Sequence, residues 1–383
     1  MKNPIIIIGA GLAGYQLARE FRKLDQTTPL TIVTADEGHF YSKPLLSTAL
    51  TSGKTAEMLK TATAESMAAQ LNATILTHCR VSAIDPVEKT ILANHEKMGY
   101  SNLVLACGAD VINPLVKGEA SKDILSVNHL YHYTAFRDLL HPKKRIAILG
   151  AGLIGSEFAN DLGNAGYTVH VIAPAKAPLD LLIPETIGKC LQAALEENGV
   201  RFHLGCVADK IEKIDDAAYQ LTLSNGDTVE ADLVLSAIGL RPHIALAEAS
   251  GILVNRGILV NRYLETSVPG IYALGDCAEV EGHVLPYIAP LLNGSRALAN
   301  TLQGEKTAVD YPGMPVVVKT PAHPIVVCPP PRSVEGEWQI EMINNSVRAL
   351  FYDRNKKLYG FVLTNEMVKE RVMLAKQIPG LFE

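Results

Sequence analysis

Two stretches of the chain share one hydrophobic pattern. Residues 4–14 read Pro-Ile-Ile-Ile-Ile-Gly-Ala-Gly-Leu-Ala-Gly, and residues 145–155 read Arg-Ile-Ala-Ile-Leu-Gly-Ala-Gly-Leu-Ile-Gly. Each begins as a continuous apolar run and ends in closely spaced glycines, after which the period changes. Leu17, Phe21 and Leu24 follow the first at i, i+4, i+7; Ile154, Phe158 and Leu162 follow the second at i, i+4, i+8. Such spacing gives a helix one apolar face to lay on a sheet. Another apolar run comes next in each case, Leu30–Val33 and Thr168–Ile172. Each segment therefore predicts a strand–helix–strand unit. Continuous apolar strands alternating with helices belong to parallel sheets covered on both faces.

Two later runs also match, Leu103–Gly108 and Leu233–Gly239, each a buried strand ending in a glycine turn. The pattern changes after Gly313. Val347–Tyr352 and Leu358–Leu363 flank the polar stretch Asp353–Lys357, which predicts a hairpin, and a helix is expected from about Glu366 to Lys376. The fold class predicted is α/β, with two Rossmann-type dinucleotide-binding domains and a small α+β C-terminal domain.

Composition narrows the function. The chain has 383 residues, 48% hydrophobic and 20% charged, enough for two or three domains with real cores. Its net charge is -5 and it has no basic block. Nucleic acid is excluded as a partner, because phosphate neutralisation needs clustered Lys and Arg. No apolar run approaches the ~20 residues of a membrane span, and the run at Ile5–Ile8 is too short for a signal sequence. A cytoplasmic protein is expected. The six cysteines, Cys79, Cys107, Cys190, Cys206, Cys277 and Cys328, form no CxxC or CxxxxC pair and no metal-ligand spacing.

The glycine motifs carry the chemistry. In GxGxxG the first glycine permits the tight turn, the second lets backbone approach a pyrophosphate, and the third lets helix and strand pack closely. The phosphates then meet free N–H groups at the helix N-terminus. Here these residues are Gly9, Gly11, Gly14 and Gly150, Gly152, Gly155. One copy could serve packing alone; two copies, each after an apolar run and opening a helix, point to two bound dinucleotides. An acid about 20 residues on is expected to bind the adenosine ribose. After the first motif Asp36 and Glu37 are available, and Asp36 is preferred. After the second the position falls at Ala173, followed by Pro174, with neither an acid nor an arginine pair. NADH is the expected nicotinamide cofactor.

Taken together, the two motifs, Ala106-Cys-Gly108, the segment Ser236–Pro242 and Ile271-Tyr-Ala-Leu-Gly-Asp-Cys-Ala278 resemble the pyridine nucleotide–disulfide oxidoreductases of glutathione reductase-like fold. The resemblance covers essentially the whole chain. It implies an FAD domain in two segments (1–110 and 240–312), an inserted NAD domain (111–239) and a C-terminal domain (313–383). It implies FAD contacts from Gly9, Gly11, Gly14, Asp36, Lys43, Pro44, Val81, Ala106, Gly108, Gly275 and Asp276, with Asp276 on the ribityl chain. It implies NAD contacts from Gly150, Gly152, Gly155, Glu157 and Gly239.

Disulfide reductases of this fold carry a cysteine pair beside the flavin, and related peroxidases and oxidases carry one cysteine. No cysteine precedes Cys79 here, so neither thiol mechanism is available. Tyr41-Ser-Lys-Pro-Leu-Leu-Ser47 instead resembles the YxRPxLS segment of the ferredoxin reductase-like branch, with Lys43 in place of arginine. In that branch the cation lies near the flavin and the glutamate of GxGxxGxE, here Glu157, faces the nicotinamide. Within it, the Tyr-Ser-Lys-Pro segment, Leu-Gly-Asp-Cys-Ala-Glu, Pro315–Ala322 and Ile378–Phe382 are most similar to the rubredoxin–NAD(+) reductases of bacterial alkane-oxidising systems. This implies hydride transfer from NADH to FAD, then single electrons to an acidic rubredoxin. No protein acid or base is required, so no catalytic side chain is expected.

An acidic partner requires a local basic patch on a net-negative chain. Lys43, Arg296, Lys319 and Arg332 are the candidates, Lys319 first. The alternatives are a flavorubredoxin or ferredoxin as acceptor, a non-enzymatic FAD/NAD switch, and a flavin monooxygenase. A monomer is expected.

Overall fold

The computed structural model describes residues 3–140, 144–215 and 218–383. Three sheets carry the fold. The first is parallel throughout, with strands in the order Ile271–Ala273, Asn102–Leu105, Ile5–Ile8, Leu30–Val33, Thr74–Leu76. Its outermost strand returns from residue 271, after a long excursion of the chain. The second sheet, also parallel, lies inside that excursion: Val200–Leu204, Thr168–Ala173, Arg145–Leu149, Leu233–Ser236. Where the chain leaves and returns, Ala109–Val111 pairs antiparallel with Leu240–Pro242. The third sheet is antiparallel, in the order Val316–Val318, Ile325–Cys328, Leu358–Thr364, Ser346–Asp353, Gly336–Ile343.

The helices sit where the apolar spacing puts them. Helix Leu12–Leu24 buries Leu17 and Phe21 against the first sheet and packs on helix Ile288–Gln303. Helix Leu153–Asn164 buries Phe158 and Leu162 against the second. Full burial of such a side chain stabilises by roughly 1.5–3 kcal/mol. The second core does not stop at its own sheet. Phe158 and Leu162 belong to one apolar cluster with Leu46, Tyr133, Val318, Val327 and Val362. The turn around Leu46, the second sheet and the third sheet thus meet around one helix.

Three expectations need correction. Leu24 is 47% exposed and Ile154 37% exposed, because each lies at a helix end, beyond the packed surface. The helix expected at 366–376 is a 3₁₀ turn, Asn365–Glu370, followed by a short helix Arg371–Ala375, in which only Leu374 is buried. The C-terminal hairpin gains a third strand, Gly336–Ile343. Among the described residues, no helix is long and apolar enough to cross a membrane.

Candidate functional site

The two glycine loops have the same geometry. Gly9 (φ +117°) and Gly150 (φ +108°) adopt backbone that only glycine takes easily. A Cβ on Gly9 would meet the Ala106 carbonyl oxygen at 2.2 Å, and one on Gly150 the Ala237 oxygen at 2.6 Å. A Cβ on Gly14 or Gly155 would meet the oxygen of its own first glycine, Gly9 or Gly150, at 2.0 Å. The middle glycines differ: around Gly11 and Gly152 a Cβ would meet nothing within 4 Å. Each therefore faces open space at the N-terminus of a helix that has no side-chain cap and no acid in its first turn. Free N–H groups, positive dipole and clearance on the glycine side fit a pyrophosphate in both places.

The first loop opens into a cleft whose residues fit FAD. Asp36 lies just past strand Leu30–Val33; one carboxylate oxygen accepts from Thr34 Oγ1 at 2.6 Å and from the Gly38 N–H at 3.0 Å. Glu37 is exposed. Val81 opens the strand Val81–Asp85 just after Cys79, whose N–H donates to the Thr34 carbonyl at 2.8 Å, so it adjoins the Asp36 loop. At the other side, a Cβ on Gly275 (φ +81°) would lie 2.8 Å from the Ala13 Cβ, which brings Asp276 to the mouth of the first glycine loop. Ala106 is buried, its N–H donating to the Ile8 carbonyl at 2.9 Å, and Gly108 (φ +73°) turns the chain into the same cleft. Gly239 (φ +124°) makes the corresponding turn after the second sheet.

Lys43 and Pro44 start a 3₁₀ turn, Lys43–Thr48. Burial lowers the pKa of Lys43, and Asp276, Asp110 and Asp36 oppose that; burial raises the pKa of Asp276, and Lys43 opposes it. Opposite charges thus share the cleft without a direct ion pair. Lys43 Nζ donates instead to Asn128 Oδ1 at 3.3 Å, while the Asn128 amide donates to the Ala109 carbonyl at 2.9 Å. Burial, then Lys43 and His132, push the neighbouring His129 down to about 4, so it adds no competing charge at neutral pH. Cys277 donates to the Leu105 carbonyl at 3.3 Å, and burial pushes its thiol up to about 11; burial raises Cys107 further. Neither offers a thiolate.

The second loop continues into a junction. Glu157, Asn160 and Asp161 lie on one face of helix Leu153–Asn164, and all three are buried. Glu157, at 0% exposure, accepts from Ser47 Oγ at 2.6 Å and from the Lys319 backbone N–H at 3.0 Å, and forms an ion pair with Lys319 Nζ. Asn160 Oδ1 accepts the Ala322 N–H at 3.2 Å. Asp161 accepts the N–H groups of Leu50 and Thr51.

Lys319, the first docking candidate, has its ammonium turned onto Glu157, a fully desolvated carboxylate that needs a cation. Lys43 is likewise held by Asn128. Arg296 donates to Asn293 on its own helix at 3.3 Å, and Arg332 is exposed. Sequence reading missed Ser47, Asn128, Asn160 and Asp161. Ser47 stood in the quoted Tyr41–Ser47 segment and carried a signal; the other three had none.

A parallel α/β protein with two such cradles, joined through a helix that reaches both neighbouring regions, is an oxidoreductase built for two dinucleotides. The chain belongs to the pyridine nucleotide-disulphide oxidoreductase family, whose model matches residues 3–301, and residues 308–378 match a rubredoxin binding C-terminal domain. Membership implies binding of FAD and NAD(H). Over 379 residues the chain is 48% identical to a rubredoxin-NAD(+) reductase of Alcanivorax borkumensis, covering 99% of each. It is 37% identical to a nitric oxide reductase FlRd-NAD(+) reductase of Aeromonas hydrophila, covering 99% of this chain and 97% of the other. Among solved structures, the ferredoxin reductase for the CYP199A2 system of Rhodopseudomonas palustris superposes with TM-score 0.89 at 25% identity, covering 98% of this chain and 95% of that one.

Proposed function

We propose that the protein transfers electrons from NADH, through FAD, to a rubredoxin. The observation that carries this reading is the pair of glycine cradles, each with open space at its second glycine, in a chain whose C-terminal part matches a rubredoxin binding domain. Bound FAD would supply the chemistry, taking two electrons as hydride and passing them on singly. The chain's own residues would bind and align. Gly9, Gly11 and Gly14 cradle the FAD pyrophosphate, with Asp36 and Val81 at its adenosine end, and Ala106, Gly108, Gly275 and Asp276 along its length. Lys43, set by Pro44 and Asn128, holds a positive charge where reduction adds negative charge. Gly150, Gly152, Gly155 and Gly239 receive NADH, and Glu157 faces the nicotinamide. The domain division that accompanies this is 1–110 with 240–312 for FAD, 111–239 for NAD and 313–383 for the acceptor. The sheets formed by the described residues support it.

The finer setting we propose is a cytoplasmic monomer feeding an alkane hydroxylase. A second reading, a flavorubredoxin as acceptor, is favoured by the similarity to FlRd reductases. The test is NADH oxidation by purified, FAD-loaded protein, with rubredoxin or a ferredoxin as mediator and cytochrome c as final acceptor. Acceleration by rubredoxin alone is expected. If neither mediator helps while NADH still bleaches the flavin, the acceptor assignment fails and the two-nucleotide core stands.

A further inference from the structure

We propose that the second dinucleotide site accepts NADPH as well as NADH, with Lys176 receiving the 2′-phosphate. The inference rests on the reading in which the glycine loop at 150–155 cradles the nicotinamide dinucleotide. In such a site the end of the second strand meets the adenosine ribose. A carboxylate there binds the 2′-hydroxyl and repels a 2′-phosphate. Here the second strand, Thr168–Ala173, ends in a buried alanine, and the exposed Pro174 follows. No carboxylate stands at the position that would enforce NADH.

The backbone shows where the next residues go. The Ala173 carbonyl accepts the Cys206 N–H at 3.3 Å, which keeps the strand end tied to its neighbour. Further on, the Leu179 N–H donates to the carbonyl of Ala151, inside the glycine loop, at 2.9 Å. Residues 174–178 therefore cross from the strand end to the phosphate cradle, along the edge where the adenosine half of a dinucleotide lies. Lys176 stands in the middle of this span and is exposed. Among the described residues it forms no hydrogen bond or ion pair. Glu185, an acid on the helix that follows, is engaged by Lys189 at 2.6 Å. The N–H groups of Ala175 and Lys176 likewise donate to no described residue. An uncommitted ammonium beside two uncommitted N–H groups makes an anion-binding turn. The 2′-phosphate is the anionic group that distinguishes the two cofactors, so this turn bears on the choice between them. Asp180, exposed and just past the Leu179 anchor, is the next carboxylate along the chain and would oppose the phosphate.

The test is made on FAD-loaded protein. Calorimetry gives the Kd values of NAD+, NADP+, AMP and 2′,5′-ADP, and flavin reduction by NADH and NADPH gives the kinetic ratio. The parent is expected to bind NADP+ within about tenfold of NAD+, and 2′,5′-ADP more tightly than AMP. Ala173→Asp installs the missing carboxylate and should weaken NADP+ by about a hundredfold. Should that variant fail to fold at its buried position, Pro174→Glu brings a carboxylate to the same edge from an exposed one. Lys176→Gln should lower the NADP+/NAD+ affinity ratio by about fivefold, the order of one exposed charge contact, and Lys176→Arg should keep it. Added salt should lower the parent's ratio and leave that of Lys176→Gln nearly flat. The inference is overturned if the parent binds NAD+ but holds NADP+ about a hundredfold more weakly. Recovery of NADP+ in Asp180→Asn would then identify Asp180 as the discriminating acid. An unchanged ratio in Lys176→Gln removes Lys176 from the site. Failure of the underlying reading looks different: neither dinucleotide binds the protein and neither reduced form bleaches its flavin.

Discussion

Asp161 Oδ2 accepts the backbone N–H of Leu50 at 2.8 Å, across 111 residues of sequence. Its other oxygen accepts the N–H of Thr51 at 3.0 Å, and the Thr51 hydroxyl returns a bond to the Asp161 carbonyl at 2.8 Å. A buried carboxylate thus fastens the nucleotide helix to the loop that follows Lys43–Thr48. Hydrogen bonds to charged groups are worth about 1.5–3 kcal/mol each, and removing their acceptor leaves two backbone donors unpaired. Asp161→Ala should therefore destabilise by about 3 kcal/mol, measured by urea unfolding of the FAD-loaded protein. Asp161→Asn, which keeps one acceptor oxygen, should lose about half as much. A midpoint equal to the parent's for Asp161→Ala would mean the fastening carries no net energy.

The glycine loops make a paired prediction. Gly11 has φ -75° and empty space beside it, so alanine fits the polypeptide there, and the added methyl projects only where a pyrophosphate would approach. Gly11→Ala should fold with the parent's secondary structure and bind FAD at least tenfold more weakly. Gly14→Ala should fail earlier, because its Cβ meets the Gly9 oxygen at 2.0 Å and must push the helix from the sheet. Circular dichroism and flavin absorbance separate the two effects. FAD retention by Gly11→Ala at the parent's affinity would disqualify this cradle as a phosphate site.

What could be read in the sequence, and what could not, follows from the range of the interactions. The glycines were legible because each constraint is local and excludes every other residue type. The apolar runs were legible because a strand or helix must bury one face. Leu24 continued the period of its helix, yet it is 47% exposed, since periodicity does not say where the facing sheet ends. Glu157 could be singled out, but its partners could not. Ser47 is 110 residues away and Lys319 is 162. Asn128, 85 residues from Lys43, sits in no motif at all. The pairing of Lys319 with Glu157 is invisible in the sequence, because nothing local reveals that a buried carboxylate waits for the ammonium.

The C-terminal tail should behave as a structural element. Phe382 lies 5.4 Å from the ring of Tyr311, 6.1 Å from that of His283, and under the Arg262 guanidinium at 4.9 Å. Next to it the Leu381 N–H donates to the Tyr311 carbonyl at 2.8 Å. Phe→Ala costs about 3–5 kcal/mol at a fully buried site, and Phe382 is half-buried. Phe382→Ala should therefore cost about 2 kcal/mol, with part of it from the lost cation–π contact. It should also render the last residues sensitive to carboxypeptidase. Parent-like resistance would show that the tail is held by Leu381 alone.

Acid should weaken the fold through two half-buried histidines, in a definite window. His170 and His203 lie on adjacent strands of the second sheet, with ring nitrogens 2.9 Å apart and rings stacked at 5.2 Å. Burial, then His203, Arg201 and Arg145, push His170 from 6.5 down to about 4. Burial also lowers His203, with Asp227 opposing and Arg201 assisting. Between pH 6.5 and about 4 the unfolded chain therefore binds a proton at this position that the folded chain refuses. Stability is fully present above the unfolded value and is lost as pH falls through that window, with a slope of at most about 1.4 kcal/mol per pH unit for each such histidine. His170→Gln removes one titrating group while leaving a hydrogen-bonding side chain opposite His203. Its urea midpoint should fall less steeply than the parent's across the window and run parallel above it. Two parallel curves across the whole range would place the acid sensitivity elsewhere, with His129 beside Lys43 the next group to replace, since its pKa is also pushed down to about 4.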